Sequence, residues 1–373
     1  WAGGYLHLGL ERSLKDAGVP IYGFLAYMRA VRDAFDAPAD AASLLHDPAP
    51  FGLADRRAIE AAAKAAKEFV EAREPTNVPA RGRFLFLRGA DPGALPRVDI
   101  DGRTYLIEGR IGGGDKADVY RGAWDHPLTE RVVIKAARDA SSSALMAREV
   151  ATLEAFGRSR ENGTPFFTRL LPEVVASGTH EGKAVTVFRY KNRYDWTLED
   201  AIREYPGGVD PETMVWMWNR TLTLLAWVHM NRMVHGAIVP GHILIHPLNH
   251  GATLLDWAYA VRVGKAVEAE PAHAAFQPDE VLRKEAATPE TDIAMSARCM
   301  IAVLGGDPAT GDLPGSVPAP IAAVLRLHAR FGAHEGGRRI ADALTLEKEF
   351  GKIAEGVFGP RRYHPFQMPR RSR

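Results

Sequence analysis

Apolar side chains recur every three or four positions from Asp55 to Glu74, which is the spacing of one face of an α-helix. Asp55 is a suitable N-cap for that helix. The pattern predicts a second helix over residues 21–35. The helical spacing of apolar residues ends at the Pro- and Gly-containing segment 75–82. We therefore predict a helical N-terminal module over residues 1–80.

Beyond residue 83 the apolar positions fall into short runs rich in Val, Ile and aromatic residues, a pattern typical of β-strands. Turns such as Asp101-Gly102 and Glu181-Gly182 separate several of these runs. One helix is predicted among them, over residues 143–156, with Gly157 just after its end. The predicted strands cover residues 84–87, 98–100, 104–107, 119–120, 132–134, 174–175 and 184–190.

Helical spacing dominates again in the C-terminal half of the chain. The Asp210-Pro211 pair predicts a helix start, and a later apolar stripe predicts a helix that ends at Gly305-Gly306. Two short strands are predicted between them, over residues 243–245 and 253–255. The predicted organisation of this α+β chain is a helical module (residues 1–80), a sheet with one helix (83–191), a mainly helical part (192–355) and a basic tail (356–373).

Composition excludes several classes of protein. Of the 373 residues, 46% are hydrophobic, which is ample for two or three folding units. The 47 Lys and Arg side chains nearly balance the 46 Asp and Glu side chains, so no overall charge favours a nucleic acid or a membrane as partner. One cysteine excludes an intramolecular disulfide and a Cys-rich zinc site. Because no apolar stretch nears the roughly 18–20 residues that span a bilayer, and no signal-peptide pattern opens the chain, we expect a cytoplasmic protein.

Four separated features carry candidate chemistry. Gly112–Gly114 lie between two predicted strands, where glycines let backbone N–H groups approach phosphate oxygens, although such loops are also ordinary hairpin turns. Lys135 ends an apolar strand, and it needs an anion there unless the strand is an exposed edge. Glu149 lies on the apolar side of its predicted helix, where a carboxylate should be paired. Asp256 closes another apolar strand, a position suited to a metal ligand or to a turn cap.

These features, together with the segment 235–245, follow the order of the protein-kinase motifs, and over residues 105–345 the chain resembles the protein kinase-like superfamily. The resemblance implies a bilobal fold, with a small β-rich N-lobe that contains one helix and a large helical C-lobe. It implies that ATP is the cofactor, together with one Mg²⁺ or Mn²⁺ ion. His235 resembles the structural histidine of the catalytic loop, and Trp257 stands where kinases usually carry Phe.

The resemblance also assigns individual roles. Lys135 resembles the lysine that contacts nucleotide phosphates, and Glu149 resembles its ion-pair partner. Asp256 resembles the magnesium ligand, and His242 is a second candidate metal ligand. The segment 188–191 resembles the hinge strand beside the adenine. The residues matched to the nucleotide site are Gly112, Gly114, Ala117, Val119, Lys135, Glu149, Phe188, Tyr190 and Asp256.

Three positions in the helical part extend the resemblance. Pro278 to Glu280 is similar to the Pro-Glu element that follows the activation segment of kinases. Asp292 resembles the aspartate that opens the central helix of the large lobe. Arg339 resembles the arginine that pairs with Glu280.

Two departures from the kinase pattern bear on activity. Ala237 stands where kinases carry the aspartate that accepts the substrate proton, and losing a positioned base typically costs about 10²–10⁴ in rate. His242 stands where an asparagine oxygen would hold a second metal, and Mg²⁺ prefers oxygen to imidazole ligands. No catalytic residue is therefore expected at Ala237 or His242.

These departures predict a pseudokinase: an ATP-binding, kinase-like scaffold or regulatory domain with little or no protein phosphotransferase activity. We expect a protein partner on the module 1–80 or on a lobe surface. One alternative is an atypical transferase that moves a phosphoryl or AMP group with Lys135 and Asp256, since such transfer depends chiefly on positioning and charge stabilisation. Another is a scaffold that binds no nucleotide.

Two further patterns are interpreted without a ligand or a binding partner. Five histidines fall between residues 229 and 250, but Pro247 interrupts any helix that would align them, so we favour separate structural roles over a zinc cluster. Five arginines without an acid lie in residues 361–373, and this composition favours a solvated tail over a docking segment.

Overall fold

A computed structural model describes residues 86–87, 94–114, 116–126, 128–191, 194–268, 271–331 and 338–369. The predicted helical module over residues 1–80 lies outside the described residues. The chain divides into two compact units. The described residues of the first unit lie within 86–142 and 175–190, and those of the second within 143–174 and 191–369.

The first unit is built on a six-stranded sheet with the order β2-β3-β4-β6-β8-β7. The strands along this part of the chain are β1 (Phe86–Leu87), β2 (Arg97–Ile100), β3 (Arg103–Gly113), β4 (Ala117–Trp124), β5 (Leu128–Thr129), β6 (Arg131–Ala137), β7 (Val174–His180) and β8 (Lys183–Arg189). The pairs from β2 to β8 are antiparallel, and β1 forms a separate antiparallel pair with β5.

One face of this sheet is the core of the first unit. Val132 and Ile134 of β6 are fully buried, and Ile134 lies opposite the equally buried Val187 of β8. Successive side chains of a strand point to opposite faces, so Lys135 points away from this core face. The alternation of buried apolar side chains along β6 thus determines the face of the sheet from which Lys135 projects.

The second unit is mainly helical, with small sheets between the helices. Its helices are α1 (Ala140–Gly157, whose first residues belong to the first unit), α2 (Thr164–Phe167), α3 (Leu198–Glu204), α4 (Pro211–Met230), α5 (Asp279–Leu282), α6 (Pro289–Val303), α7 (Ala319–Ala329) and α8 (Ala343–Phe358). Its strands are β9 (Trp196–Thr197), β10 (Met233–Val234), β11 (Ile243–His246), β12 (Gly251–Leu254) and β13 (Val261–Arg262). Short 3₁₀ turns cover Thr168–Leu170, Pro240–His242, Pro247–Asn249, Trp257–Tyr259 and Pro271–Phe276.

Local chemistry explains where several helices begin. The Asp210 carboxylate accepts a hydrogen bond from the Glu212 N–H, and Pro211 occupies the first turn of α4, as the sequence predicts. Helix α1 begins three residues before its predicted start at residue 143, because the Asp139 carboxylate accepts hydrogen bonds from the N–H and hydroxyl of Ser142. Hydrogen bonds from Ser141 and Ser142 lower the pKa of Asp139 to about 2.

The mixed α+β class predicted from the sequence is confirmed.

The second unit has its core around α6, in which every residue from Thr291 to Val303 is buried. The fully buried Trp218 of α4 lies against this helix, where its indole N–H donates to the Ser296 hydroxyl at 3.0 Å. A helix that is buried along its whole length packs against other elements on all sides.

The C-terminal segment departs from the sequence prediction. Its described part, residues 359–369, packs on the second unit. Phe366 is only 6% exposed and lies beside the ring of Trp216. Tyr363 stacks on His250 with the ring centroids 4.8 Å apart. The prediction of a solvated tail is therefore wrong for Phe366, whereas Arg361 and Arg362 are exposed as predicted. Charge composition does not reveal the contacts of the aromatic side chains among the arginines.

Within the described parts of the chain, no helix is both long enough and apolar enough to cross a lipid bilayer.

Candidate functional site

Three of the predicted nucleotide-site residues share a row across the first unit's sheet. Gly112 lies opposite Val119, and Val119 lies opposite Lys135. Lys135 in turn lies opposite Thr186. Directly opposed residues of antiparallel strands point to the same face, so this row of four presents one ammonium, one hydroxyl, one valine side chain and one position without a side chain. Thr186 is a member that the sequence analysis missed, because strand register decides its place.

Phe188 and Tyr190 lie farther along β8 and just beyond its end. Phe188 lies opposite Val133, which is two residues before Lys135 and therefore on the same face. Tyr190 follows β8, and its N–H donates to the Arg131 carbonyl oxygen at 3.3 Å.

The glycine loop between β3 and β4 is a tight turn. The Gly114 N–H donates to the carbonyl oxygen of the buried Ala117 at 3.0 Å. Gly113 has a φ of +156°, and a Cβ there would lie 2.7 Å from a carboxylate oxygen of Asp118. Residues with a side chain rarely adopt a φ of this sign, so the backbone conformation of the turn favours glycine at this position.

Asp118 links this loop to the neighbouring strands. Its carboxylate accepts hydrogen bonds from Arg138 and Arg110, each at 2.9 Å at its shortest. The hydrogen bond from Arg138 is the largest cause that lowers the pKa of Asp118, so the carboxylate is ionised at neutral pH. Asp118 lies opposite Ala136, hence on the other face from Lys135. Sequence reasoning missed this cluster, which supports the loop without belonging to the row.

In the second unit, the Asp292 carboxylate fixes the loop that follows β10. This fully buried carboxylate accepts hydrogen bonds from the backbone N–H groups of His235 at 2.8 Å and Gly236 at 2.9 Å. It also accepts one from the His229 ring at 3.0 Å. Gly236 has a φ of +75°, and a Cβ there would lie 2.7 Å from Val267. These hydrogen bonds tie the loop to the buried helix α6.

His235 is a neutral structural residue in this loop. Its ring Nε2 donates to the Leu255 carbonyl oxygen at 2.9 Å, and its Nδ1 accepts from the Ala237 N–H at 3.2 Å. Burial lowers the pKa of His235 to about 4, although the charge of Asp292 opposes the shift. The imidazole is therefore uncharged at neutral pH.

Ala237 occupies a packed position. It is 4% exposed and forms a small apolar cluster with Ala258 and Tyr259, against which Leu145 packs. A methyl group accepts no proton, and this one fills space that a carboxylate would have to displace.

The side chains of His242 and Asp256 lie close to each other, beside this cluster. The His242 Nε2 atom is 3.5 Å from an Asp256 carboxylate oxygen, and the two side chains are 20% and 21% exposed. The His242 Nδ1–H donates to the Ala237 carbonyl oxygen at 2.8 Å. Asp256 has the left-handed backbone angles φ 59° and ψ 65°. Such angles cost free energy for a residue with a side chain and are often found at functional sites.

Glu149 of α1 contacts the segment that follows Asp256. Glu149 is 2% exposed, and its carboxylate accepts a hydrogen bond from the Trp257 N–H at 3.1 Å. Trp257 is fully buried, with its ring centroid 5.1 Å from Phe156 and 4.4 Å from His235. The prediction that Glu149 lies on a buried face of its helix is confirmed, and its predicted ion pair with Lys135 stays a prediction.

One predicted pairing is wrong. The arginine that forms an ion pair with Glu280 is Arg330, whereas Arg339 is exposed. Helix α7 ends at Ala329, and Arg330 adopts a φ of +67° as its C-cap. Spacing along the chain does not indicate that an arginine lies at this turn.

The five neighbouring histidines occupy separate environments. His246 caps a turn through the Asn249 N–H, and His250 stacks on Trp216 with centroids 4.6 Å apart. Among the residues that the structure describes, no group of three or more His, Cys, Asp or Glu side chains is arranged to hold a metal ion.

Comparison with protein-family models found no matching family, and comparison with curated proteins found no matching sequence.

Proposed function

We propose that this chain is a kinase-like, nucleotide-binding protein of bilobal fold that acts as a regulatory pseudokinase. The observation that carries the proposal is the buried methyl group of Ala237, at the position where the kinase pattern requires a proton acceptor. The acidic residue matched to metal binding, Asp256, is retained and partly exposed. The carboxylate matched to metal binding is present at Asp256, and the proton-accepting carboxylate is missing at Ala237. Such a site is suited to binding a nucleotide rather than to transferring its phosphate.

The row Gly112–Val119–Lys135 supports nucleotide binding. Gly112 has no Cβ that would keep phosphate oxygens away from the backbone, and an ammonium two strands away supplies the positive charge. We propose that Lys135 contacts the phosphates and that a nucleotide-bound divalent ion contacts Asp256. ATP, with Mg²⁺ or Mn²⁺, is the proposed ligand.

Thermal unfolding with and without ATP tests this proposal. At an ATP concentration one hundred times the dissociation constant, binding stabilises the folded state by about 2.7 kcal/mol. Lys135→Ala should abolish the stabilisation. Lys183→Ala, which removes an exposed lysine from β8, is the matched control and should retain it. If ATP fails to raise the midpoint of the wild-type protein with either metal, the proposal is wrong.

Incubation with labelled ATP tests the pseudokinase assignment separately. Label in the γ-phosphate reports phosphoryl transfer, and label in the α-phosphate reports AMP transfer. We expect neither label to be incorporated into the chain or into a general protein substrate. Incorporation that Asp256→Ala abolishes would favour an active transferase instead.

A further inference from the structure

We infer that the C-terminal segment is a docking surface for a single-stranded nucleic acid, in which a base stacks on Tyr363 and arginine side chains contact the phosphates. The described residues of this surface all belong to the second unit. The inference goes beyond the proposed function and does not depend on it.

Tyr363 ends a stack of three rings. The ring of Trp216 lies on that of His250 with centroids 4.6 Å apart and planes 3° apart. The ring of His250 in turn lies on that of Tyr363 at 4.8 Å, with planes 24° apart. The Tyr363 hydroxyl donates to the Leu248 carbonyl oxygen at 2.8 Å. Contacts on one face and at the hydroxyl therefore fix the position of this ring.

The same ring is 61% exposed. Because two contacts already hold it, a second flat ring that stacks on Tyr363 would cost little further side-chain entropy. Every nucleobase has a flat π-face, and stacking of bases on aromatic side chains is the usual means by which proteins bind single strands. In a duplex the base faces are covered by neighbouring base pairs, so the surface suits a single strand.

One arginine beside this ring is available for a phosphate. Arg361 forms ion pairs with Glu355 at 3.0 Å and with Glu347 at 4.0 Å, so its charge is used within the protein. Arg362 is exposed, and it takes part in no ion pair within the part of the chain that the structure describes. Its guanidinium can therefore donate to phosphate oxygens without breaking a contact.

The composition of the segment favours an anionic partner. Residues 361–373 contain five arginines and neither Asp nor Glu, although the whole chain has a formal net charge of only +1. A strand of phosphates gains free energy from counterion release when such a segment binds it. An acidic peptide would offer the charge without the flat bases that an exposed, fixed tyrosine ring can stack against.

Fluorescence anisotropy of a labelled single strand of roughly 12 nucleotides, as RNA or as DNA, tests the inference on the full chain. We expect binding that weakens with salt, and weaker binding of the duplex of the same sequence. Tyr363→Ala should lower the affinity about tenfold, whereas Tyr363→Phe, which keeps the ring, should retain it. Phe166→Ala removes another exposed aromatic ring and is the matched control, with unchanged affinity expected.

The salt dependence tests the phosphate contact separately. Each phosphate contact contributes about 0.7 to the slope of the logarithm of the binding constant against the logarithm of salt concentration. Arg362→Ala should therefore make the slope shallower by about 0.7. Arg262→Ala removes an exposed arginine from β13 and should leave the slope unchanged.

Photocrosslinking of the wild-type protein to an RNA strand that contains 4-thiouridine decides the question even if a variant does not fold. We expect mass spectrometry to find the crosslink at Tyr363. Three results would overturn the inference: no binding of either single strand at low salt, crosslinks only at other residues, or poly-glutamate that binds as tightly as the nucleic acid. Stabilisation by ATP is measured independently, so each of these results leaves the proposed function standing.

Discussion

At the scale of single residues, His235 makes the stability of the second unit depend on pH. Burial lowers the pKa of this imidazole from 6.5 to about 4, so the unfolded chain binds a proton between these values that the folded chain does not. The stabilising contribution is therefore complete above pH 6.5 and is lost as the pH falls toward 4.

We predict that His235 accounts for about 3 kcal/mol of the free energy of unfolding lost between pH 6.5 and pH 4. His235→Gln keeps an N–H donor for the Leu255 carbonyl without an ionisable ring. Urea unfolding at several pH values should show a shallower pH dependence for this variant. The lowered pKa values of His250 and His328 remain as background in both proteins. Identical pH dependence would show that His235 titrates normally.

Ala237 allows a second test at this scale. Ala237→Asp places a carboxylate among Ala258, Tyr259 and Leu145, and burying a polar group without a partner costs about 1–3 kcal/mol. Ala237→Ser, whose small hydroxyl can bond to nearby backbone, should cost less. Denaturant midpoints compare the two variants. An aspartate variant as stable as the wild type would mean that this position is open to solvent.

The sequence predicts some residue environments and misses others for a physical reason. Glu149 could be placed in the core because helical periodicity alone puts it on an apolar stripe. The clustering of Asp118 with two arginines depends on strand register, and the approach of His242 to Asp256 depends on the pairing of β11 with β12. Spacing along the chain does not determine either.

At the scale of elements, a hydrogen bond joins helix α1 to the segment after β12. The Glu149 carboxylate accepts from the buried Trp257 N–H. We predict that Glu149→Ala costs about 1–3 kcal/mol of unfolding free energy, because the N–H is left buried without an acceptor. Glu149→Gln retains a carbonyl oxygen at the same reach and should cost less. Equal losses in chemical denaturation would show that this hydrogen bond contributes little.

The C-terminal segment provides the second element-scale prediction. Phe366 is buried beside Trp216, so Phe366→Ala should lower the unfolding free energy by about 3 kcal/mol. Tyr363→Phe is the control. Tyr363 is 61% exposed, and this change removes only its hydrogen bond to the Leu248 carbonyl, worth about 1 kcal/mol or less. A Phe366→Ala protein of wild-type stability would mean that the segment does not pack in solution.

Element prediction succeeds where the signal is local and fails where it is not. The Asp210-Pro211 start of α4 and the glycines that follow α6 are encoded by neighbouring residues. The two-residue strands β9, β10 and β13 were not predicted, because their backbone partners are distant in sequence.

At the scale of the whole molecule, the spacing of apolar residues changes along the chain from a strand pattern to a helix pattern. This change is enough to predict the α+β class. The bilobal kinase-like arrangement remains a proposal. It depends on motif order, and neither family models nor curated sequences match the chain. The proposal gains its support from residues that each unit brings together separately: Lys135 with Gly112 in one, and Asp256 with His242 in the other.

The most direct test of nucleotide binding is to map the lysines that an acyl-phosphate derivative of ATP modifies. Such a reagent transfers its acyl group to an amine beside the bound phosphates. We predict that mass spectrometry will find acylation at Lys135 and that excess ATP will suppress it, while the exposed Lys183 reacts only at background. An unmodified Lys135, or acylation of Lys135 that ATP does not reduce, would contradict the account.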